Sequence, residues 1–298
     1  MAASGVTIAS PSRSRGHGPP RKRVGVMTCV LNEVACAAFV GGAVIDAVDC
    51  YVLIDTGSTD GTPDLIRELY ADECRSGRLI VESIGRLPDY DMSIARNRAL
   101  EHLRAAGVEY FIKLDGNTVF YDAGIQQTLD AIADLPPEVT VMGSGTYELY
   151  QHEIEDAAEW IAALRDRRDV FWEMAFRPVA PLVHAVAGAR AFGKWGDEHA
   201  GKAPEGIWYS RPNVTRTAPG IVAAHYGWAR PLRAKRAKLA AWKCPPAEHP
   251  LFDGLHLGDD WRRPTQRFTH HPEIIARWID EVSEWLQSRQ SAEQNDQG

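Results

Sequence analysis

Four short apolar runs set the architecture: Val24 to Leu31, Cys50 to Ile54, Leu79 to Val81 and Tyr110 to Leu114, with helix-like stretches between them. Strands this apolar must be buried on both faces. Strand, helix, strand in alternation is the signature of right-handed βαβ units around a parallel sheet. The fold class expected is therefore α/β, with a mostly parallel central sheet flanked by helices and a Rossmann-like N-terminal half. The intervening helices carry their own start signals. Thr62 can cap a helix that has Pro63 at its first position and a Leu65, Ile66, Leu69 stripe. Ser93 can cap the next, whose Ala95, Ala99, Leu100 and Leu103 share one side before Gly107 ends it. Beyond Asp115 the rhythm changes: a helix is expected over 122–134, and longer strands over 140–151 and 169–179. Pro272 to Arg289 reads as a helix with Ile274, Ile275, Trp278, Ile279, Val282, Trp285 and Leu286 on one stripe. That stripe must be covered, either by the body of the protein or by a second copy in a homodimer.

The boundaries expected are a disordered tail at 1–22, a first half at 23–145, a second half at 146–232 and a helical extension at 233–298. The tail is Ser, Gly, Pro and Arg with few large apolar side chains, too little burial to offset the entropy of ordering. A chain of 298 residues that is 45% hydrophobic can fill a sizeable core. Its formal net charge of -7 argues against nucleic acid as a partner, though a small anionic ligand needs only a local positive site. Apolar runs are too short to span a bilayer and the N-terminus lacks signal-peptide order, so a cytoplasmic location is expected. Cys29, Cys36, Cys50, Cys74 and Cys244 form no CxxC pair and read as reduced thiols.

In an open parallel sheet, ligands bind beyond the carboxyl ends of the strands. Every run here delivers polar residues to that edge: Asn32 and Glu33, then Asp55, then Asp89 and Asp91, then Asp115 and Asn117. Any one of them alone is more often a turn former or helix cap. All four together mark a site. The segment Asp55-Thr56-Gly57-Ser58-Thr59-Asp60-Gly61-Thr62 adds two glycines and short hydroxyls, a tight turn that lets backbone approach a ligand.

Taken with Val30-Leu31-Asn32-Glu33, Asp91 to Asn97, Asp115-Gly116-Asn117 and His225-Tyr226-Gly227, that segment resembles the family 2 glycosyltransferases of the GT-A fold, over about residues 24–230. The resemblance implies a second, mixed half that binds the acceptor. It also implies a role for each matching position. The Thr28 to Glu33 segment lines the nucleoside pocket, Asp55 accepts from the base, usually uracil, and Arg96 lies near the pyrophosphate or base. Asp115 matches the first acid of the Asp-X-Asp motif, which binds ribose and a divalent cation, and His225 matches a late histidine that completes the metal shell or contacts the pyrophosphate. Metal ligands expected are thus Asp115, Asn117 and His225, for Mn²⁺ or Mg²⁺, since hard cations take oxygen ligands and Mn²⁺ tolerates one imidazole. Asn117 departs from the pattern: an amide coordinates without charge, so the ion binds more weakly or leans on substrate phosphates.

The base for an inverting transfer is expected from the second half. Asp197 and Glu198, in Trp195-Gly196-Asp197-Glu198-His199, are paired carboxylates beside an aromatic and a glycine; Glu205 and Glu173 come next. The basic stretch Arg230 to Lys243 is either a solvated helix face or a source of cations for the diphosphate. The function expected is transfer of a sugar from a nucleoside diphosphate sugar, UDP-sugar favoured, to a hydroxyl acceptor with inversion. A sugar-nucleotide nucleotidyltransferase would carry a Gly-rich basic loop where Cys29 to Val34 has neither. A degenerate sugar-nucleotide binder finds its support in Asn117.

Overall fold

The computed structural model describes residues 21–150, 154–166, 173–187, 189–193, 207–210, 214–229, 231–234, 236, 266–267 and 271–295. The strands of the first half are β1 (Val24–Val30), β2 (Cys50–Asp55), β3 (Leu79–Ser83) and β4 (Tyr110–Asp115). They alternate with α1 (Ala37–Val44), α2 (Thr62–Leu69), the short α3 (Ala71–Arg75) and α4 (Met92–Ala105). The second half runs β5 (Thr118–Phe120), α5 (Asp122–Ala133), β6 (Val141–Tyr150), α6 (Ala157–Asp166) and β7 (Glu173–Ala185). It continues with β8 (Ala189–Phe192), β9 (Ile207–Tyr209), β10 (Thr215–Trp228), β11 (Gln266–Arg267) and α7 (Glu273–Asn295).

The main sheet has nine strands in the order β3-β2-β1-β4-β7-β6-β10-β5, with β11 on β7. The first four are parallel to one another, and within the sheet only β5 and β7 run against the common direction. This is the mostly parallel α/β architecture expected from the sequence, with a mixed second half on the same sheet. The pleat explains why β1 and β4 carry apolar residues on both faces. Val26 of β1 and Ile112 of β4 face a large core with α1, α2, α5, α6 and α7, whereas Met27 and Phe111 face a smaller one with α4, β8 and β9.

Two helix starts differ from expectation. Thr62 does not cap α2: Gly61 holds the cap position in left-handed conformation (φ 85°), and the Thr62 hydroxyl donates to Asp60 Oδ1 at 2.5 Å. The cap of α4 is Asp91, whose carboxylate accepts from Ser93 N at 3.1 Å, so Ser93 lies inside the helix. Gly61 takes the left-handed conformation at no steric cost, with the Thr62 amide donating to Asp60 Oδ1 at 3.0 Å, and at α4 the Asp91 carboxylate is the stronger acceptor for a first-turn amide.

The expected stripe on the last helix is covered by the body of the molecule. Ile274, Ile275, Ile279, Val282, Trp285 and Leu286 are buried in the large core, so covering them needs no second copy. Trp285 Nε1 donates to Glu68 at 2.9 Å, and Arg289 pairs with Asp64 at 2.7 Å, which fastens α7 to α2. At the other end Lys22 donates to the Ile132 carbonyl at 2.9 Å. Residues 1–20, most of the expected tail, lie outside the described residues. No described helix is long and apolar enough to cross a membrane.

Candidate functional site at the β1–β4 strand ends

The chain lays down β1, β2 and β3 outward in one direction, then returns to place β4 on the other side of β1. Loops leaving β1 and β4 therefore part company, and a crevice opens between them, the position where open α/β sheets bind ligands. A small cleft lies there, lined by Met27, Cys29, Met92, Arg96, Lys113, Leu114 and Asp115. Register explains the composition. Cys29 pairs with Asp115 and Val30 with Asp55, so the strand-end acids emerge at one edge.

The loops at this edge are tied together by backbone amides. Asn32, in the left-handed region (φ 54°), donates its N–H to Ser58 Oγ at 2.8 Å and accepts from Thr59 N at 2.8 Å. Glu33 N donates to Thr62 Oγ1 at 3.0 Å and Val34 N to Asp60 Oδ2 at 3.0 Å. The hydroxyls and acids of Asp55 to Thr62 thus hold the β1 exit as well as their own turn. Asp55 is buried, with Oδ1 accepting from Ser58 N at 3.0 Å and Oδ2 in a long 3.4 Å contact with Gly57 N. Thr28 sits in the pleat opposite the cleft, accepting from Tyr51 OH at 3.2 Å; within its segment, Cys29 is the residue that lines the cleft. Asp91 is a helix cap, as the plain reading of a lone strand-end acid allows.

Pairing of β5 with β10 sets Thr118 opposite His225, and Tyr226 N donates to the Asn117 carbonyl at 2.8 Å. Two motifs about a hundred residues apart in sequence, Asp115-Gly116-Asn117 and His225-Tyr226-Gly227, therefore meet at the sheet edge. Both glycines sit where neighbouring side chains approach closely. A Cβ at Gly116 would lie 2.7 Å from Val30 Cγ1 and 3.1 Å from Glu33 Cγ; one at Gly227 would lie 2.3 Å from His225 Cε1. The imidazole of His225 is folded over Gly227, in space that any other residue would fill.

The sequence reading missed Lys113. It lies in β4 on the cleft face, its side chain only 10% exposed, with Nζ 3.5 Å from an Asp115 carboxylate that is 59% exposed. The signal was present: a lysine inside an apolar strand has to be paired, because an ammonium buried alone is costly. Arg96 stands across the cleft with its guanidinium 5.7 Å from the centre of the Phe192 ring. Between these two cations, desolvation pushes the Cys29 thiol up to about 11, outweighing the pull of Arg96 and Lys113, so it stays a neutral wall. The cleft therefore presents two cations and one carboxylate to a ligand.

The expected metal ligands are neighbours in the fold, but as a donor set they fit a resident divalent ion poorly. Asp115 is the one charged oxygen ligand and it already faces the Lys113 ammonium. Asn117 Oδ1 is sealed from solvent without a hydrogen-bond partner. Among the described residues, no three His, Cys, Asp or Glu side chains converge as metal ligands. Asp197, Glu198 and Glu205 lie outside the described residues, and Glu173 is placed only as the first residue of β7.

No protein-family model and no curated protein matches this sequence. Among solved structures, the chain is similar to S. aureus TarS 1-349, at 13% identity and a TM-score of 0.43, over 68% of this chain and 60% of that one. The same TarS fragment in complex with UDP matches at 14% identity and a TM-score of 0.43, over the same shares. Glucosyl-3-phosphoglycerate synthase from Mycobacterium tuberculosis, in complex with phosphoglyceric acid, matches at 14% identity and a TM-score of 0.36, over 86% of this chain and 91% of that one. The chain thus spans 60% of the length of the first of these structures.

Proposed function

We propose that the protein transfers a sugar from a nucleoside diphosphate sugar, a UDP-sugar by preference, to a hydroxyl acceptor with inversion at the anomeric carbon. The observation that carries this reading is the cleft at the β1–β4 switch point, lined by Arg96, Lys113 and Asp115, with Lys113 paired to Asp115 and the Asn117–Tyr226 backbone bond two residues further along the chain. A dianionic diphosphate suits two cations on a cleft wall, and a neighbouring carboxylate suits the ribose hydroxyls. The family 2 resemblance includes Arg96, Asp115, Asn117 and His225 but not Lys113.

In this reading Asp55 and the loop it organises hold the base, Asp115 holds the ribose, and Arg96 lies along the diphosphate. As the bond between the anomeric carbon and the diphosphate oxygen breaks, its electron pair leaves on that oxygen. The acceptor oxygen takes the vacated position from the opposite face and its proton passes to a carboxylate. Asp197 is our first assignment for that carboxylate and Glu198 the second, both on sequence grounds. Stabilising the departing charge by preorganised cations is the larger contribution, and a positioned base adds about 10²–10⁴ in rate.

The test is incubation with radiolabelled UDP-, GDP- and dTDP-sugars, followed by separation of free nucleoside diphosphate. Release from one of the three, lost in Arg96→Ala, supports the transferase. If all three donors stay intact while one binds, the protein is a sugar-nucleotide binder without turnover.

A further inference from the structure

We infer that Lys113, with Arg96, takes the place of the divalent cation as the positive charge that receives the diphosphate, so that the site binds its nucleotide without metal. The inference rests on the reading of the cleft as a nucleoside diphosphate site and concerns what supplies the positive charge there.

Three observations carry it. First, the short motif carries one acid instead of two, since Asn117 stands where the resemblance expects a carboxylate, and an amide oxygen brings no charge to an ion. A site for Mg²⁺ or Mn²⁺ that keeps one carboxylate has given up the charge that holds the ion. Second, an ammonium lies 3.5 Å from the carboxylate that remains, fixed there by a strand rather than by a flexible loop. A divalent ion on the same oxygen would face that ammonium at close range, and two like charges at such separation oppose each other. Third, Lys113 and Arg96 line one cleft from different elements, β4 and α4, so two positive charges border the same space.

Charge accounting agrees. Lys113, Arg96 and Asp115 together give the cleft wall one net positive charge before ligand enters. A diphosphate entering beside them gains two cations, and the Asp115 carboxylate is left to the ribose. When the anomeric bond breaks, the oxygen that takes the electron pair is met by an ammonium that donates hydrogen bonds in the geometry it already holds. No group beyond donor, acceptor and base is needed to balance the step.

The test is titration calorimetry of UDP, GDP and dTDP, each beside its nucleoside, into the full chain in EDTA and again in Mn²⁺. The nucleotide that binds should do so with dissociation constants within about threefold of each other in the two buffers. Lys113→Met, which keeps the length and apolar stem of the side chain, should weaken the nucleoside diphosphate at least tenfold in both buffers while leaving the nucleoside unchanged. Its melting temperature controls for folding, and Lys113→Arg, which keeps the charge, should recover most of the loss. In the Lys113→Met background, Asn117→Asp should make binding respond to Mn²⁺, because it restores the acid and removes the competing ammonium. If the wild type binds its diphosphate only in Mn²⁺, or if Lys113→Met binds as the wild type does, the inference is overturned while the nucleotide site stands. If no diphosphate binds in either buffer, both fall.

Discussion

At Asp55 the carboxylate that the resemblance assigns to a nucleobase already accepts from Ser58 N, and two substitutions separate these duties. Asp55→Asn keeps an oxygen for Ser58 N while losing charge, so it should leave the melting temperature nearly unchanged and weaken nucleotide binding by about 1.5–3 kcal/mol, the range for hydrogen bonds to a charged group. Asp55→Ala should lose both. Equal nucleotide affinity in wild type and Asp55→Asn, by calorimetry, removes Asp55 from base recognition. His184 offers a pH test. It is buried between the strands with the Phe111 ring stacked 5.2 Å away, and burial, then Lys113 and Arg96, push its pKa down to about 3. Between about 6.5, the ordinary value, and 3, the unfolded chain binds a proton that the native state does not. The stability that neutral His184 contributes is therefore complete above pH 6.5 and falls on acidification, by up to about 1.4 kcal/mol per pH unit. Denaturant midpoints measured from pH 7 down to 5 should show a slope that His184→Phe reduces. Single residues were the least legible part of the sequence: Asp55 and Asp115 stood out by ending apolar strands, but Lys113 was absorbed into the apolar run Tyr110 to Leu114, and only the folded strand shows that it lines the same cleft as Arg96.

Elements were more legible, because each strand is defined by its neighbours' burial. β1 to β4 emerge where apolar runs predict them, and so does α5, whereas caps depend on one dihedral angle and were misassigned at both α2 and α4. The corrected assignment is testable. Asp91→Ala should destabilise the protein by about 1 kcal/mol, while Ser93→Ala should cost less, since its hydroxyl donates to Asp91 and does not cap. The pairing of β5 with β10 was illegible, since nothing local in a three-residue strand names its partner. Its consequence is that Asn117 meets Tyr226 and Thr118 lies opposite His225, and Gly227 reports on it. Gly227→Ala places a methyl where the imidazole now lies, so turnover should drop while far-UV circular dichroism stays native. Retained turnover would detach His225 from the site. α7 reaches the same edge from behind: Trp285 would meet any side chain added at Gly61, and its indole is bonded to Glu68. Trp285→Ala should cost about 3 kcal/mol or more, as deletion of a large buried aromatic does, and should raise protease sensitivity in the loop that carries Asp55.

For the whole molecule, topology explains why one sheet edge gathers chemistry from separated segments. Parallel strands deliver their C-terminal ends to the same side, and the switch of direction at β1 leaves a crevice with α4 on one wall. That much follows from the alternation of strand and helix, and it held. The second half was legible only as long strands with uncertain partners, because register between distant strands is set by packing that no local pattern encodes. We propose the β1–β4 cleft as the place where a nucleoside diphosphate binds, held by Arg96 and Lys113. The most direct measurement is a thermal-shift titration of wild type and Arg96→Ala with UDP, GDP and dTDP in EDTA, since a ligand that binds only the folded state raises the melting temperature by mass action. One nucleotide should raise the wild-type melting temperature in proportion to the logarithm of its concentration, with the curve for Arg96→Ala displaced at least tenfold to higher concentration. Identical curves for the two proteins, or no shift with any of the three, would contradict it.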